Sequence, residues 1–365
     1  MEKLSIFKNA KVLVTGHNGF KGTWLTTWLI KLGAQVTGVS LGANTIPSHY
    51  NLCCFAESVD NRCVDVCDLE ALTTVVKEVQ PDFVFHLAAQ ALVRRAYRDP
   101  VEAWKTNTIG TVHILEALRC LEKHCVAIMI TSDKCYDNVE WEWGYRETDA
   151  LGGPDPYSAS KGGAELAIRS YVKSFLVKGG PVRLGIGRAG NVIGGGDWSE
   201  DRIIPDCVKA WGRDDSVAIR SPLATRPWQH VLEPLSGYLN LAVALNESSD
   251  LHGEPFNFGP ADGQNRSVLD LVTTMAESWS QVQWDDISGD SDGPYESGLL
   301  KLNCDKALHF LNWQPTWDFN ETVRETAKWY QEYYTKEPVS ISDFTSKQID
   351  LFMSDAKSQN RAWAN

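Results

Sequence analysis

The sequence predicts an α/β fold built on a doubly wound parallel sheet, with a smaller mixed α/β domain in its C-terminal half. The first observation is the apolar, β-branched run Lys11–Thr15, which is followed directly by closely spaced glycines and a helical pattern. This order is that of a βαβ dinucleotide-binding unit, so the sheet is predicted to be of the Rossmann type. The second observation is that similar apolar runs recur at 126–131 and 182–187, which is typical of strands buried in a parallel sheet.

The glycine-rich segment after the first strand predicts a phosphate-binding turn. Its glycines stand between that strand and a predicted helix over 23–33, and a second strand is predicted at 35–40. Small residues let the backbone approach a diphosphate, and the helix N-terminus supplies N–H donors and a favourable dipole. We therefore predict a dinucleotide cofactor in contact with Gly16, His17, Asn18, Gly19, Phe20 and Gly22.

Tyr157 and Lys161 are four residues apart, so on a helix both side chains lie on one face. An ammonium group near a phenol favours the phenolate. A tyrosine shifted in this way can take the proton of an alcohol while a hydride leaves the carbon. The pair therefore predicts an oxidoreductive step, and Asp155-Pro156 predicts the turn that enters the helix.

A third segment, Ser132-Asp133-Lys134, follows the predicted strand at 126–131. Open α/β sheets place their sites at the carboxyl ends of such strands. A hydroxyl, an acid and a second amine at this place predict a proton transfer beyond that of Tyr157. The alternative is that Asp133 and Lys134 form a surface ion pair that caps the strand end.

The spacing Gly-x-x-Gly-x-x-Gly at 16–22, together with Tyr157-x-x-x-Lys161, resembles the extended short-chain dehydrogenase/reductase family. The resemblance runs from about Lys11 to about Pro315. It implies further cofactor contacts at Asp65, Val66, Leu87, Ala88, Ala89 and Asn107, and substrate contacts at Gln90, Asn191, Ile204 and Arg226. Asn191 and Arg226 are the predicted diphosphate contacts, because a guanidinium fork suits phosphate oxygens. The alternative for Arg226 is a surface ion pair.

Within this family, Ser132-Asp133-Lys134 resembles the nucleotide-hexose 4,6-dehydratases, in which an acid protonates a leaving hydroxyl and a base takes the C5 proton. That base is Glu in the dTDP-glucose enzymes, whereas Lys134 stands here. Together with the segment 226–231, the pattern is most similar to the CDP-glucose 4,6-dehydratases. The resemblance implies that Tyr157 takes the O4 proton of CDP-glucose while hydride passes from C4 to NAD and then to C6.

The resemblance gives Asp133 the role of acid and Lys134 that of base, so Asp133 must be protonated and Lys134 neutral. Desolvation favours both of these states, whereas attraction between their opposite charges disfavours both. In the alternative, Lys134 stays charged and stabilises the enolate, with Asp133 or a water molecule as base. Two other functions stay open: a nucleotide-sugar 4-epimerase, which needs only the Tyr157 and Lys161 pair, and a catalytically silent dinucleotide sensor.

The end of the second strand bears on the choice of cofactor. An acid usually follows this strand for the ribose 2′-hydroxyl of NAD, but 39–48 contains neither an acid nor an Arg or Lys for a 2′-phosphate. Ser40 and Asn44 are the candidates to hydrogen-bond the ribose. We expect NAD, with NADP disfavoured.

Composition excludes several partners. The net charge of −12 argues against nucleic acid and anionic membranes, and no apolar stretch is long enough to span a bilayer. Without a signal-peptide core, the chain is expected to be cytoplasmic. The nine cysteines are irregularly spaced, which favours reduced thiols, and no metal site is predicted.

We expect a Rossmann domain with the catalytic residues over 1–188, a mainly nucleotide-sugar-binding domain over 189–340 from which the chain can cross back, and a C-terminal tail over 341–365. The family resemblance implies a homodimer or homotetramer through the helices at 101–122 and from 157. The apolar stripe of Ile114, Leu115, Leu118 and Leu121 fits either that interface or an internal core.

Overall fold

A computed structural model of the chain describes residues 3–43, 45–53, 55, 58–261, 263–279, 282–288, 298–335 and 340–365. Its central sheet has seven strands in the order β3-β2-β1-β4-β5-β6-β11, and every neighbouring pair is parallel. The strands are β1 (Lys11–Thr15), β2 (Gln35–Ser40), β3 (Val59–Cys63), β4 (Phe83–His86), β5 (Cys125–Ile130), β6 (Val182–Ala189) and β11 (Pro255–Phe258). The predicted Rossmann-type sheet is confirmed.

Helices cover both faces of this sheet. They are α1 (Phe20–Lys31), α2 (His49–Leu52), α3 (Leu69–Val79), α4 (Val93–Arg98), α5 (Pro100–Trp104), α6 (Gly110–Leu118), α7 (Pro156–Ser174), α8 (Ile203–Trp211), α9 (Leu232–Glu247), α10 (Val268–Ala276), α11 (Asp305–Leu311), α12 (Phe319–Tyr334) and α13 (Ile341–Ser358). A π-helical segment, Lys105–Ile109, joins α5 to α6. None of the helices in the described part of the chain is long and apolar enough to cross a membrane.

Alternate residues of the central strands belong to two separate cores, because successive side chains of a strand point to opposite faces of the sheet. Val126 and Ile128 of β5 join the core under α1 and α9, whereas Ala127 and Met129 join the core under α3, α6 and α7. Burial on both faces explains why these strands are continuous apolar runs.

The apolar stripe of α6 belongs to the second core. Ile114, Leu115 and Leu118 are 0% exposed and Leu121 is 3% exposed. The stripe therefore packs inside the subunit, and the reading of it as a subunit interface is wrong.

The second half of the chain builds a wall beside the sheet and then returns to the sheet. The wall contains α8, α10 and three short strand pairs: β7 (Val192–Ile193) with β10 (Gln229–His230), β8 (Val217–Ile219) with β13 (Trp284–Asp286), and β9 (Thr225–Arg226) with β12 (Arg266–Ser267). The chain leaves this wall after β10. Helix α9 then packs on β5 and β6, and β11 forms the edge of the central sheet, before β12 and β13 complete the other two pairs.

Helix α13 lies in the segment that was predicted only as a C-terminal tail. It packs against α1, where the ring of Trp28 contacts those of Phe352 and Trp363 at centroid distances of 5.9 and 5.8 Å. Lys31 of α1 also forms an ion pair with Asp350 at 2.9 Å. The segment thus completes the core beneath the glycine-rich turn.

Candidate active site

A cleft of about 1230 Å³ opens at the carboxyl edge of the sheet, between the central strands and the wall of the second half. The sheet order reverses between β1 and β4, and doubly wound folds bind ligands at such a point. The cleft brings together most of the predicted site: Gly16, Asn18, Gly19, Phe20, Gly22, Asp65, Val66, Leu87, Ala88, Ala89, Gln90, Ser132, Asp133, Lys134, Tyr157, Lys161, Asn191, Ile204 and Arg226.

The glycine turn forms a cradle that any larger residue would fill. Gly16 has φ +72°, and a Cβ there would lie 2.7 Å from the backbone nitrogen of Ala88. A Cβ on Gly22 would lie 2.0 Å from the Gly16 carbonyl oxygen. Helix α1 begins at Phe20, earlier than predicted, with Gly19 as its N-cap. Its first N–H groups therefore border the cleft, and the cradle fits the diphosphate of a dinucleotide.

His17 and Asn107 do not line the cleft. The His17 ring is fully buried, hydrogen-bonds with Ser40 Oγ at 2.8 Å, and fills the space left by Gly38 of β2. Asn107 accepts a hydrogen bond from the Gln90 N–H at 2.9 Å and donates to the Gln90 carbonyl at 3.0 Å and to Ser160 Oγ at 2.9 Å. Both side chains therefore hold the loops that carry the cleft residues.

The end of β2 borders the cleft at the place where a dinucleotide fold holds the ribose. Ser40 is 8% exposed and its hydroxyl bonds with His17, while Asn18 donates to the Leu41 carbonyl at 2.5 Å. Asn44 lies outside the described residues.

Tyr157 and Lys161 lie in the first turns of α7, one turn apart as predicted. Asp155 caps this helix by accepting from the N–H groups of Tyr157 at 2.9 Å and Ser158 at 3.0 Å. Burial lowers the pKa of Lys161 to about 8. Burial raises the pKa of Tyr157 to about 12, and hydrogen bonding with the Ser132 side chain opposes this only partly. Within the protein alone, desolvation therefore outweighs the groups that lower the pKa of Tyr157, opposite to the predicted direction.

Ser132, Asp133 and Lys134 form a tight turn directly after β5. The Ser132 hydroxyl donates to Asp133 Oδ1 at 2.9 Å and accepts from the Lys134 N–H at 3.2 Å. Lys134 Nζ lies 3.5 Å from Asp133 Oδ1, and the Lys134 side chain is 31% exposed whereas that of Asp133 is 1% exposed. The pair is thus a wall of the cleft, with its acid buried, and not a pair on the outer surface.

Lys21 is a cleft residue that sequence reasoning missed, although it stands inside the glycine motif. Burial lowers its pKa to about 7, and the positive charges of Arg202, Lys161 and Lys134 act in the same direction. Only the charge of Asp133 opposes them among the principal influences. A sequence pattern cannot show this crowding, because Arg202 comes from a distant part of the chain.

Arg188 is the second-last residue of β6 and does not reach the cleft. Its guanidinium is 1% exposed and donates to Glu165 of α7 through two parallel hydrogen bonds, Nε to Oε1 at 2.8 Å and Nη2 to Oε2 at 2.9 Å. It also donates to the Tyr136 hydroxyl at 2.7 Å. The segment that carries Asn191 reaches the cleft only from residue 189 onward.

The second-half wall supplies polar groups that face the catalytic residues. Asn191 follows β6, and its buried Oδ1 has no hydrogen-bond partner among the described residues. Arg226 Nη1 donates to the Thr225 carbonyl at 2.9 Å. Arg202 and Arg220 also line the cleft and were missed by sequence reasoning; they form ion pairs with Asp197 at 3.0 Å and Asp201 at 3.5 Å. The described residues contain no group of three or more His, Cys, Asp or Glu arranged to hold a metal ion.

Comparison with known proteins agrees with this geometry. The chain is 42% identical to the CDP-glucose 4,6-dehydratase of Salmonella typhimurium, over 96% of this chain and 98% of that protein. A solved epimerase from Methanothermobacter thermautotrophicus superposes with a TM-score of 0.76 at 22% identity, over 92% of this chain and 96% of the other. A dTDP-glucose 4,6-dehydratase of Bacillus anthracis in complex with NAD superposes with a TM-score of 0.72 at 21% identity, over 90% of this chain and 99% of the other. The family model described as GDP-mannose 4,6 dehydratase matches residues 13–326, so the chain belongs to the GDP-mannose 4,6 dehydratase family.

Proposed function

We propose that the chain is a CDP-glucose 4,6-dehydratase, which converts CDP-D-glucose to CDP-4-dehydro-6-deoxy-D-glucose and releases water. The observation that carries the proposal is the buried acid Asp133, held by Ser132 beside Tyr157 in the same cleft. An epimerase needs no such acid. The identity with the Salmonella enzyme of that name supports the choice of CDP-glucose.

Tyr157 and Lys161 carry the first proton transfer. Tyr157 takes the O4 proton, and the Lys161 ammonium stabilises the phenolate that does so. When bound, NAD accepts the C4 hydride and returns it to C6, and its nicotinamide charge also favours the phenolate. The fit of the Gly16–Gly22 cradle to a diphosphate supports this cofactor.

Asp133 supplies the proton for the leaving C6 hydroxyl. The O4 proton and the C6 hydroxyl together account for the water that is released, so a route from Tyr157 to Asp133 balances the reaction. Ser132 is placed to provide that route, because its hydroxyl donates to Asp133 Oδ1 and its side chain is close enough to Tyr157 to lower the pKa of the phenol. Lys134, at 3.5 Å from Oδ1, lies beside the same oxygen and faces the cleft. We assign to Lys134 the C5 proton, which neutral Lys134 takes during the elimination and returns to C5 as hydride reaches C6. In the alternative, charged Lys134 stabilises the enolate, and Asp133 or a water molecule takes and returns that proton.

We propose NAD over NADP. The segment after β2 holds no Arg or Lys for a 2′-phosphate, and the hydroxyl of Ser40 is already bonded with His17. The test is turnover with each cofactor; activity with NADP alone would overturn the proposal.

For the substrate diphosphate we propose Arg226 and Asn191 as contacts, since both line the wall opposite the glycine turn. The unpartnered Oδ1 of Asn191 is an acceptor, so it suits a donor group of the ligand such as a sugar hydroxyl, while the amide N–H groups of Asn191 can donate to the phosphate oxygens. Gln90 and Ile204 line the same cleft and are proposed to contact the sugar nucleotide.

We propose a homodimer or homotetramer through the outer faces of α5 to α7. Trp104 is 42% exposed, Ile109 45% and Leu166 55%. Trp104 lies beside Gly163 of α7, so these apolar groups belong to adjacent helices. Exposed apolar groups on neighbouring helices are typical of subunit contacts.

The test of the proposed function is mass spectrometry of the protein incubated with NAD and, separately, with CDP-, dTDP-, GDP- and UDP-glucose. Loss of one water from CDP-glucose supports the proposal. Asp133→Asn keeps the size of the side chain and should abolish dehydration while NAD still binds. If Asp133→Asn retained full activity, or if the substrate were epimerised without loss of mass, the 4-epimerase would be the better function.

A further inference from the structure

Tyr238 of α9 is a buried residue to which the chemistry described above gives no role. Its side chain is 0% exposed, and its hydroxyl has no hydrogen-bond partner among the described residues. A buried hydroxyl without a partner is costly, and native proteins keep few of them. Phenylalanine would fill the same apolar space without that cost, so the hydroxyl calls for an explanation.

The position of Tyr238 along β6 places its ring near the carboxyl end of that strand. A Cβ at Gly185 would contact Leu245 and Leu241, and a Cβ at Gly187 would lie 2.6 Å from Cε1 of Tyr238. Residues of α9 with lower numbers therefore lie nearer to the carboxyl end of the strand. The Tyr238 ring lies on the last glycine before that end, and the cleft begins just beyond it.

Asp133 lies on this same side of the cleft. A Cβ at Gly190, three residues beyond Gly187, would lie 3.1 Å from Asp133 Oδ2. That oxygen is buried and also has no hydrogen-bond partner among the described residues, whereas Oδ1 binds Ser132 and Lys134. Burial first, and then the charges of Asp133 and Tyr157, raise the pKa of Tyr238, so these groups are close enough to interact electrostatically.

We propose that Tyr238 is a positioning residue for Asp133: its hydroxyl donates a hydrogen bond to Oδ2, directly or through one buried water molecule. The Tyr238 hydroxyl and Asp133 Oδ2 then both have a hydrogen-bond partner, and the carboxyl group is held with Oδ1 toward Ser132 and the substrate. The inference rests on the proposed role of Asp133 as the acid for the C6 hydroxyl. Tyr238 itself does not touch the substrate, because it has no surface in the cleft.

The test compares two substrates in the Tyr238→Phe variant of the full chain with NAD. One is CDP-glucose, whose C6 hydroxyl needs a proton to leave. The other is its 6-deoxy-6-fluoro analogue, whose fluoride leaves as an anion. Loss of the hydrogen bond that holds the Asp133 carboxyl group should slow turnover of CDP-glucose by roughly tenfold and leave the fluoro analogue within about twofold of the wild-type rate. Reduced nicotinamide should accumulate with CDP-glucose, because oxidation at C4 does not use Asp133.

Tyr171→Phe, which removes a hydroxyl that bonds with Glu116 away from the cleft, is the matched control and should change neither rate. Wild-type rates for Tyr238→Phe, or equal losses with both substrates, would overturn the inference. Asp133→Asn is run beside it. If Asp133→Asn is not rescued by the fluoro analogue, the proposed acid role fails; if it is rescued and Tyr238→Phe shows no selectivity, only the role of Tyr238 fails.

A second measurement does not depend on the folding of a variant. A high-resolution structure of the wild-type protein should show the Tyr238 hydroxyl and Asp133 Oδ2 joined directly or through one water molecule. A separation without a bridging water would overturn the inference.

Discussion

Glu165→Gln should destabilise the protein strongly, because it removes the counter-charge of a guanidinium that cannot reach water. Arg188 and Glu165 are 1% and 2% exposed, and their two parallel hydrogen bonds join β6 to α7. Breaking a buried pair from one side costs about 3–5 kcal/mol in free energy of unfolding, since the remaining charge is left unpaired. Glu165 follows Lys161 by one turn, so α7 should also shift and lower kcat.

The double variant Glu165→Gln/Arg188→Met removes both charges. It should recover at least about 1 kcal/mol relative to Glu165→Gln, because no isolated charge is then buried. Asp250→Asn, which breaks an exposed pair with Lys178, is the control and should leave the free energy of unfolding nearly unchanged.

Urea unfolding followed by tryptophan fluorescence measures these free energies by linear extrapolation. A loss for Glu165→Gln no greater than that for Asp250→Asn would contradict the prediction, as would a double variant that is no more stable than Glu165→Gln.

Three further predictions concern the cradle, a buried acid and the subunit contact. Gly16→Ala should abolish NAD binding, measured by calorimetry, because its Cβ would meet the backbone of Ala88, whereas Gly42→Ala should bind NAD normally, because a Cβ there meets nothing within 4 Å. Burial raises the pKa of Glu233 from 4.5 to about 8, so between these pH values the folded state keeps a proton that the unfolded state loses. The protonated Glu233 therefore contributes fully to the free energy of unfolding below pH 4.5, and this contribution is lost as pH rises through 8. The loss is at most about 5 kcal/mol, and Glu233→Gln should flatten the curve of unfolding free energy against pH; parallel curves would contradict this. Leu166→Asp should shift the protein toward monomers in analytical ultracentrifugation, and an unchanged mass would contradict the proposed contact.

Local patterns were sufficient to predict the central sheet and much of the cleft lining. The glycine turn, the pair on α7 and the turn after β5 each occupy a few consecutive residues, so their spacing defines their geometry. The carboxyl edge of a parallel sheet then brings these three segments together.

Interactions between segments that are distant in the chain could not be predicted from the sequence. Nothing near Lys21 shows that Arg202 approaches it, and nothing near Asp133 shows that Tyr238 lies behind it. The pKa of Tyr157 was predicted in the wrong direction for the same reason: the spacing reveals the nearby Lys161, whereas burial depends on the packing of the whole cleft.

The contact of α13 with α1 has a consequence for synthesis of the protein. Trp28, which emerges early from the ribosome, is buried against Phe352 and Trp363, which emerge more than three hundred residues later. The apolar face of α1 in the first βαβ unit therefore stays exposed, or is covered by a chaperone, until the C-terminal segment has been synthesised. A chain cut after Thr335 should bind chaperones and aggregate, even though it keeps every residue assigned here to the cofactor and the substrate.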